Sequence, residues 1–430
     1  MAMLGLEEKF VDDVLRLVSI KSFTNDSAGV LRCQQEYQKI AERMGFVTYF
    51  KANGKVLIVE PAGMTQIPEI GMVVHLDTVP FDDAEWTVNP LGEIKDGRIF
   101  GRGVVDDKAA AVMALYAVYS LKGKIHDSWQ IIVGSCEEGD WSDMDLFMKE
   151  NPKLAKFLFT IDGDGIQHGC RGYVDMELIF KREVSSNVTT LCQMSVPNAT
   201  NNMVPAQACA NIKGKECWVY GVAAHSSIPE AGENALTKLV RLIAQNKTIV
   251  SEFPGFFELM SNLETTNLKK SVGFPIDRIT CEDGCYTTVV PVDCKILNDD
   301  YLVLTLNIRL CVHMASSMVS EMLSYISQTY NCNCYIKDFK LPAYVEPDSK
   351  YVMKMLESYN EILGKPTVSR VALGTGYNAT LPNCVIFGPR FDNLHDERDF
   401  CHSADESRKI SDLMIFLRML KLYLKKMLSN

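Results

Sequence analysis

Short apolar strands alternating with an apolar helix restrict the fold of this chain more than any other feature. Residues 71–80 read GMVVHLDTVP and residues 129–134 read WQIIVG, and both are apolar runs of strand length. Between them, residues 107–121 (DKAAAVMALYAVYSL) are Ala-rich with apolar periodicity, which predicts a buried helix. Residues 157–161 (FLFTI) add a third buried strand. This order predicts an α/β domain with a mixed, mainly parallel sheet and helices on both faces.

The pattern changes near residue 173, which predicts a second domain inserted into the first. Segments such as YVDMELIFKRE alternate apolar and polar residues, as strands with one solvated face do. An α+β domain with a mainly antiparallel sheet is therefore predicted over residues 173–340. The α/β domain is predicted over residues 1–172 and 341–430, and the prolines of LPAYVEP mark the return to it. Ser411 is the predicted N-cap of the last helix.

Charge and hydropathy argue against two classes of partner. The chain has 54 acidic and 44 basic residues, a net charge of −10 and no sustained run of Lys and Arg. Nucleic acids and anionic membranes both require clustered positive charge, so we expect neither as a partner. No apolar stretch approaches the ~20 residues that span a bilayer, and acidic residues interrupt any signal-peptide pattern in residues 1–20. We therefore expect a cytoplasmic protein with reduced, buried cysteines.

Acidic residues and histidine recur where predicted strands end, which is where α/β sheets place their sites. His75 and Asp77 are one residue apart on a strand, so both side chains point to the same face. His75 could bind a metal ion while Asp77 accepts its other ring N–H, or the pair could satisfy a core histidine. Asp106 and Asp107 stand at a predicted helix start, where an N-cap would explain one acid but does not require two.

Two further acidic clusters directly follow the strands WQIIVG and FLFTI. Glu137 and Glu138 are adjacent carboxylates, and their repulsion raises at least one pKa unless a cation neutralises one of them. A solvated loop is the alternative. Asp162, in the run TIDGDG, could equally belong to an Asp/Gly turn. Together, His, Asp and Glu at successive strand ends form a ligand set suited to zinc, cobalt or manganese rather than to a thiolate site.

Four motifs in this order resemble the co-catalytic zinc aminoacylase, carboxypeptidase and dipeptidase family, the M20 peptidases. They are GMVVHLDTVP, GRIFGRGVVDDK, CEEGDWSDMD and the distant GVAAHSSIPEAGENAL, and they cover nearly the whole chain. Within the family, the likeness is to the PepV-type bacterial dipeptidases. The resemblance implies that residues 173–340 are a lid with a ferredoxin-like sheet. It also implies hydrolysis of dipeptides or short peptides by a water activated between two divalent ions, zinc or else manganese or cobalt.

The resemblance also implies which residues bind the metal ions. Five side chains would hold them: His75 and Asp162 at one site, Glu138 and His402 at the other, and Asp106 bridging both. In the family pattern a Glu lies four residues after the last ligand. His402 with Glu406 fits this pattern, whereas Asp399 follows His395, so the resemblance favours His402 over His395.

Further residues are implied to act on the substrate. Glu137 would be the general base that takes a proton from the water, and Asp77 would orient His75. His225, in the lid, would donate a hydrogen bond to the developing oxyanion, although its segment could be only a hydroxyl-flanked turn. Arg309 could pair with a carboxylate or lie on the surface. The residues implied to bind substrate are Asn202, Arg309, Gly374, Thr375 and Gly376.

One departure from the family pattern leaves the substrate open. Residues 374–379 read GTGYNA where the family's dipeptidases tend to have GTYAR, which predicts a rearranged contact with the substrate carboxylate. An N-acyl-amino-acid deacylase of the same family needs the same metals. Outside enzymes, the alternative is a catalytically silent, metal-dependent protein that binds a small ligand. Many members of the family have a compact lid that dimerises. The inserted segment here exceeds one ferredoxin-like unit, and the resemblance to the PepV-type enzymes implies that the excess mimics a partner's lid, so we expect a monomer.

Overall fold

The computed structural model describes residues 4–183, 190–265, 285–390 and 401–429. The chain divides into two units. The first comprises Met1–Gly169, Ala343–Arg370 and Gly376–Asn430, and the second comprises Cys170–Pro342 and Val371–Thr375. The short segment Val371–Thr375 therefore groups with the inserted unit, although the sequence assigns it to the first domain. Among the described residues, no helix is both long and apolar enough to cross a membrane.

Helices and strands alternate along the first part of the chain. They are α1 (Leu4–Val18), α2 (Ser27–Arg43), β1 (Val47–Lys51), β2 (Val56–Glu60), β3 (Ile70–His75), β4 (Glu93–Lys95), β5 (Arg98–Phe100), α3 (Lys108–Ser120), β6 (Trp129–Gly134), α4 (Ser142–Lys149), β7 (Phe157–Thr160) and β8 (Ile166–Cys170). The inserted part contains β9 (Gly172–Lys181), β10 (Leu191–Ser195), β11 (Gln207–Ile212), β12 (Lys215–Tyr220), α5 (Ala235–Ile243), α6 (Lys247–Val250), α7 (Pro254–Thr265), β13 (Thr288–Leu297), β14 (Tyr301–Leu310), α8 (Ser316–Tyr330) and β15 (Asn333–Lys340). The chain ends with β16 (Ala343–Tyr344), α9 (Lys350–Leu363), β17 (Arg370–Ala372), β18 (Cys384–Phe387), β19 (Ser407–Lys409) and α10 (Ile410–Leu428).

A mixed sheet forms the centre of the first unit. Its strands lie in the order β1-β2-β6-β3-β7-β18-β8-β16. The four central strands, β6, β3, β7 and β18, run parallel to one another, while β1 is antiparallel to β2, β2 to β6 and β8 to β18. Parallel strands end at the same edge of a sheet, and here His75 of β3 lies beside Gly134 of β6. The predicted mixed sheet with a parallel centre is confirmed.

Helices cover both faces of this sheet, but unequally. Alternate residues of β3 point to opposite faces, so Met72 and Val74 enter one core and Val73 enters the other. The larger core also contains residues of α1, α2, α3, α9 and α10. The smaller core contains residues of α4 and the turn around Tyr377. Because both faces are buried, the central strands are apolar throughout and do not alternate.

The second unit contains two antiparallel sheets. Four strands lie in the order β13-β14-β9-β15, which is the strand order of a ferredoxin-like sheet in which β9 comes first in the chain. The other sheet, β10-β11-β12, is inserted between β9 and α5. The expectation of one solvated face is wrong for β14, where every residue except Tyr301 is buried. β14 is an interior strand, and both of its faces are covered.

The last helix does not begin as predicted. Lys409 occupies the N-cap position of α10 without a side-chain capping bond, and Ser411 lies inside the first turn, so the predicted cap is wrong. The reason is the strand that precedes the helix: β19 pairs with β5, and the backbone N–H of Ile410 still donates to Gly97 O at 3.0 Å. This pairing sets where the strand stops and the helix begins.

Candidate active site

The acidic side chains singled out in the sequence lie where three neighbouring parallel strands end. His75 is the last residue of β3, Glu137 and Glu138 follow β6, and Asp162 follows β7. Because β3 pairs in parallel with both β6 and β7, these three strand ends meet at one edge of the sheet. Asp106 reaches the same place from the loop that precedes α3.

Asp106 lies between two histidines. Its Oδ1 is 3.0 Å from His75 Nε2, and its Oδ2 is 3.2 Å from His402 Nε2. His402 Nε2 also lies 2.8 Å from Glu138 Oε1. On the other side, ligand atoms of His75, Asp106 and Asp162 lie within 4.8 Å of one another. The structure therefore brings all five side chains together, with one carboxylate that offers an oxygen to each side.

This donor set fits a pair of divalent cations. Imidazole nitrogens and carboxylate oxygens suit zinc, manganese and cobalt. Burial and the charge of Asp106 raise the pKa of Asp162 to about 6. Hydrogen bonds with Asp106 and Glu138 raise the pKa of His402 to about 11. Both shifts favour the uptake of protons, which would compensate the negative charge of the cluster, and bound cations would compensate the same charge.

Asp77 holds the two glutamates in place. It is fully buried, and its two carboxylate oxygens accept the backbone N–H groups of Glu137 and Glu138, each at 3.1 Å. Its carboxylate is 3.4 Å from His75 Nδ1, but the backbone carbonyl of Asp77 is nearer to that nitrogen, at 3.0 Å. Asp77 thus contacts His75 through both groups, and its carboxylate mainly supports the loop after β6.

Glu137 is a partly buried carboxyl group in a negatively charged setting. Burial raises the pKa of Glu137 well above its usual range, and although His75 opposes the shift, the charges of Asp162 and Asp106 add to it. A Cβ at Gly376 would lie 3.1 Å from Glu137 Oε1, so the glycine leaves space beside this oxygen. A carboxylate that takes up a proton readily is suited to act as a general base.

Asp107 is not the helix cap that the alternative interpretation suggested. It occupies the N-cap position of α3 but makes no side-chain capping bond. Its Oδ2 instead accepts the backbone N–H of His75 at 3.2 Å. Its Oδ1 and both amide atoms of the buried Asn378 have no hydrogen-bond partner among the described residues, and both side chains line a cavity of about 20 Å³ beside Glu137.

Glu406 supports the loop that carries Asp106. Its Oε1 accepts the backbone N–H groups of Gly103 and Val105 at 3.1 and 2.8 Å, and its Oε2 accepts Arg102 Nη1 at 2.6 Å. This gives a physical reason for a Glu four residues after His402. The same short segment therefore places His402 in the cluster and the Glu406 carboxylate against the loop that carries Asp106. His395, the alternative ligand, lies outside the described residues.

Cys401 is a candidate ligand that the sequence did not indicate. Ligand atoms of Cys401, His402 and Asp106 lie within 4.8 Å of one another. Its Sγ accepts a hydrogen bond from Arg390 Nη1 at 3.0 Å. A cysteine next to the predicted histidine was the only signal, and scattered cysteines elsewhere made that signal weak.

Two further residues that the sequence did not indicate hold the loop of Glu137 from behind. The Tyr377 hydroxyl donates to Asp143 Oδ2 at 2.5 Å and accepts the backbone N–H of Cys136 at 3.0 Å. Asp143 Oδ2 also accepts the backbone N–H of Ser135 at 2.7 Å. Tyr377 follows the GTG run directly, but no sequence pattern indicates that it meets Asp143.

We expect Tyr377→Phe to lower the free energy of unfolding by about 1–3 kcal/mol, because a partly buried backbone N–H and a buried carboxylate each lose a partner. Urea denaturation of the protein would measure the change. Tyr423→Phe is the matched control, since it removes a buried hydroxyl that has no hydrogen-bond partner among the described residues. Equal losses of stability in the two variants would contradict the supporting role of Tyr377.

Two of the predicted substrate-binding residues of the second unit, Asn202 and Arg309, contact the same turn. The carbonyl of the exposed Asn202 accepts the backbone N–H of Ser226 at 2.8 Å, and Arg309 Nε donates to Ser226 Oγ at 3.2 Å. Arg309 is 7% exposed, so it is not the surface arginine of the alternative interpretation. Thr375 Oγ1 donates to the carbonyl of Arg171 at 2.6 Å. A Cβ at Gly374 would meet no atom within 4 Å, which leaves that position open.

Comparison with known proteins matches most of this chain to one protein family. The sequence profile of peptidase family M20/M25/M40 matches residues 71–426. The Beta-Ala-Xaa dipeptidase of Lactobacillus delbrueckii subsp. lactis is 24% identical over 433 residues, which covers 90% of this chain and 87% of that protein.

Solved structures of two other peptidases share the fold. The aminoacylhistidine dipeptidase from Vibrio alginolyticus aligns with a TM-score of 0.64 at 13% identity, covering 97% of this chain and 96% of that one. The YXEP protein of Bacillus subtilis, described as a dinuclear metal binding peptidase, aligns with a TM-score of 0.58 at 10% identity, covering 99% of each chain.

Proposed function

The chain belongs to peptidase family M20/M25/M40, and from this premise we propose that it hydrolyses the amide bond of dipeptides or short peptides with the help of two divalent metal ions. The observation that carries the proposal is the position of Asp106, which offers one oxygen to the side of His75 and the other to the side of His402. Two of the similar proteins are named as dipeptidases, which supports a short peptide as substrate.

The residues that would hold the ions divide into two groups. His75 and Asp162 would hold one ion, Glu138 and His402 the other, and Asp106 would be shared. Zinc is the first candidate because it accepts nitrogen and oxygen ligands together, and manganese or cobalt would also suit the set. When bound, such ions polarise the scissile carbonyl and lower the pKa of water. The description of a relative with this fold as a dinuclear metal binding peptidase supports the pair.

Glu137 is the proposed general base. It takes a proton from the attacking water and passes it to the leaving amine. Its burial, which raises its pKa well above the usual range, supports this role, because a carboxylate with a raised pKa takes up a proton more readily. Asp77 supports the step indirectly, since it holds the backbone N–H of Glu137.

The second unit would supply the contacts to the substrate. We propose that His225 donates a hydrogen bond to the developing oxyanion, that Arg309 binds the substrate carboxylate, and that the second unit is a lid. Asn202, Gly374, Thr375 and Gly376 would complete the substrate contacts. The three-stranded sheet β10-β11-β12 extends the unit beyond a ferredoxin-like sheet, which supports the proposal that one chain works alone.

The test is hydrolysis by purified protein with defined metal content. We expect turnover of unblocked dipeptides with zinc or manganese, loss of turnover after chelation, and recovery when metal is returned. N-acetyl amino acids with the same side chains are the matched substrates. Turnover of the N-acetyl compounds alone would favour a deacylase. No turnover of either set by protein with two bound ions per chain would mean a binding protein, and the proposal would fail.

A further inference from the structure

The turn that carries His225 determines which of its ring nitrogens holds the proton. His225 Nδ1 lies 3.2 Å from the backbone nitrogen of Ser227 and 2.6 Å from its Oγ. A backbone N–H can only donate, so Nδ1 must accept. A neutral imidazole has one N–H and one bare nitrogen, and the proton therefore sits on Nε2.

We propose that Ser227 is a positioning residue that keeps the proton of neutral His225 on Nε2, the nitrogen that can donate to a substrate oxygen. This inference rests on the proposed role of His225 in the reaction. It adds the cause of that role, because an imidazole with its proton on Nδ1 would present a lone pair to the oxyanion and would repel it.

The same contacts disfavour the protonated ring. Protonation would place an N–H at Nδ1 against the backbone N–H of Ser227, and two donors cannot share a hydrogen bond. Burial, together with the positive charge of Arg309, lowers the pKa of His225. Both effects favour the neutral ring. The remaining choice is between the two neutral tautomers, and the N–H of Ser227 favours the one with its proton on Nε2.

Ser227 is held in place by a buried arginine. Arg171 is fully buried, its Nη1 donates to the carbonyl of Ser227 at 2.9 Å, and its guanidinium stacks on the Tyr286 ring at 4.4 Å. The preceding residue is fixed as well, because Thr288 Oγ1 donates to the carbonyl of Ser226 at 2.8 Å. With the backbone held on both sides of the peptide, the N–H of Ser227 stays aimed at the ring.

A serine that only stabilised a turn would satisfy its hydroxyl on nearby backbone, as Ser327 does when it donates to the carbonyl of Cys332 at 2.7 Å. The hydroxyl of Ser227 instead has the ring nitrogen as its partner. Ser327→Ala is therefore the matched control: it removes a serine hydroxyl bond from the same unit without a contact to His225.

Nitrogen NMR of the metal-loaded full chain with labelled histidine tests the proposal. The chain has seven histidines, and His225→Ala identifies the signals of His225 by their loss. We expect wild-type His225 to be neutral with its proton on Nε2 at pH 7. Ser227→Ala removes the hydroxyl but keeps the backbone N–H that donates to Nδ1, so it should move the ratio of the tautomers toward Nδ1–H by at most about fivefold, the factor that one neutral hydrogen bond carries, with Nε2–H still the major form. It should lower kcat by at most that factor with KM unchanged.

Ser227→Thr keeps the hydroxyl and should restore both the tautomer ratio and kcat, while Ser327→Ala should change neither. An Nδ1–H or protonated ring in the wild-type protein would overturn the proposal, and so would a majority of Nδ1–H in Ser227→Ala, because that variant keeps the backbone N–H that donates to Nδ1. If that variant does not fold, the wild-type spectrum alone decides. Because the spectrum needs no turnover, a protein with the expected tautomer but no peptide hydrolysis would refute the proposed function and not this inference.

Discussion

Replacing Glu137 by glutamine is expected to lower kcat for dipeptide hydrolysis by about 10²- to 10⁴-fold, the contribution that a positioned general base typically makes. The glutamine fills the same space beside Gly376 but cannot take up the proton of the attacking water. The substitution should leave the loop intact, because the backbone N–H of residue 137 still donates to the Asp77 carboxylate. Steady-state kinetics together with the metal content of the purified variant would measure the effect.

Glu138→Gln is the matched control for this variant. Glu138 is the adjacent residue, is held by the same Asp77 and lies 2.8 Å from His402 Nε2. We expect Glu138→Gln to lose bound metal, whereas Glu137→Gln should keep both ions. If Glu137→Gln loses metal and Glu138→Gln retains it, the roles of the two glutamates have been exchanged, and Glu137 is not the base.

Replacing Asp106 by asparagine should abolish hydrolysis and reduce the metal content below one ion per chain. The Asp106 carboxylate faces both sides of the cluster, so the change removes the negative charge that the two predicted ions would share. Loss of an outer partner of a metal ligand already costs roughly 10- to 100-fold in affinity, and we expect the loss of a shared ligand to exceed about 100-fold. Elemental analysis after dialysis and competition with a zinc chelator would measure it.

Asp13→Asn is the control for general effects of removing a buried carboxylate. Asp13 is buried on α1, where Arg43 Nη2 lies 2.6 Å from its Oδ2 and the Tyr116 hydroxyl donates to the same oxygen at 2.8 Å. This variant should lower stability yet keep two ions and near-normal kcat. A full complement of metal in Asp106→Asn, or an equal loss of metal in both variants, would show that Asp106 is not a ligand.

Several elements of the fold follow from the local sequence. The apolar run WQIIVG predicts the strand over residues 129–134 that the structure contains, and the Ala-rich run predicts α3 to within one residue at each end. The strand at residues 71–80 is shorter than predicted and ends at His75. Beyond it the chain pairs differently, since the backbone N–H of Thr78 donates to the carbonyl of Ser22 at 2.9 Å. A distant segment, invisible to a local pattern, decides that boundary.

The candidate site was predictable in its chemistry and only partly in its construction. The acids and histidine at strand ends could be read from the sequence because strand ends follow from apolar periodicity. The supporting residues could not, since Tyr377 and Asp143 are separated by 234 positions and meet only through packing. The inward position of Arg309 was equally hidden, because its strand alternates in sequence although both of its faces are covered.

The sequence by itself determined which groups this protein can offer to a substrate or a metal ion, and on which kind of element each one lies. The residue type determines which atoms a side chain can offer to a metal ion or a substrate, and the neighbouring residues in the chain determine whether it lies on a helix or a strand. Only the tertiary structure decided that Asp106 stands between His75 and His402, that Asp77 holds the glutamates, and that Ser227 faces His225 Nδ1. Those relations are distances between atoms, and they arise when the sheet and the buried turns pack.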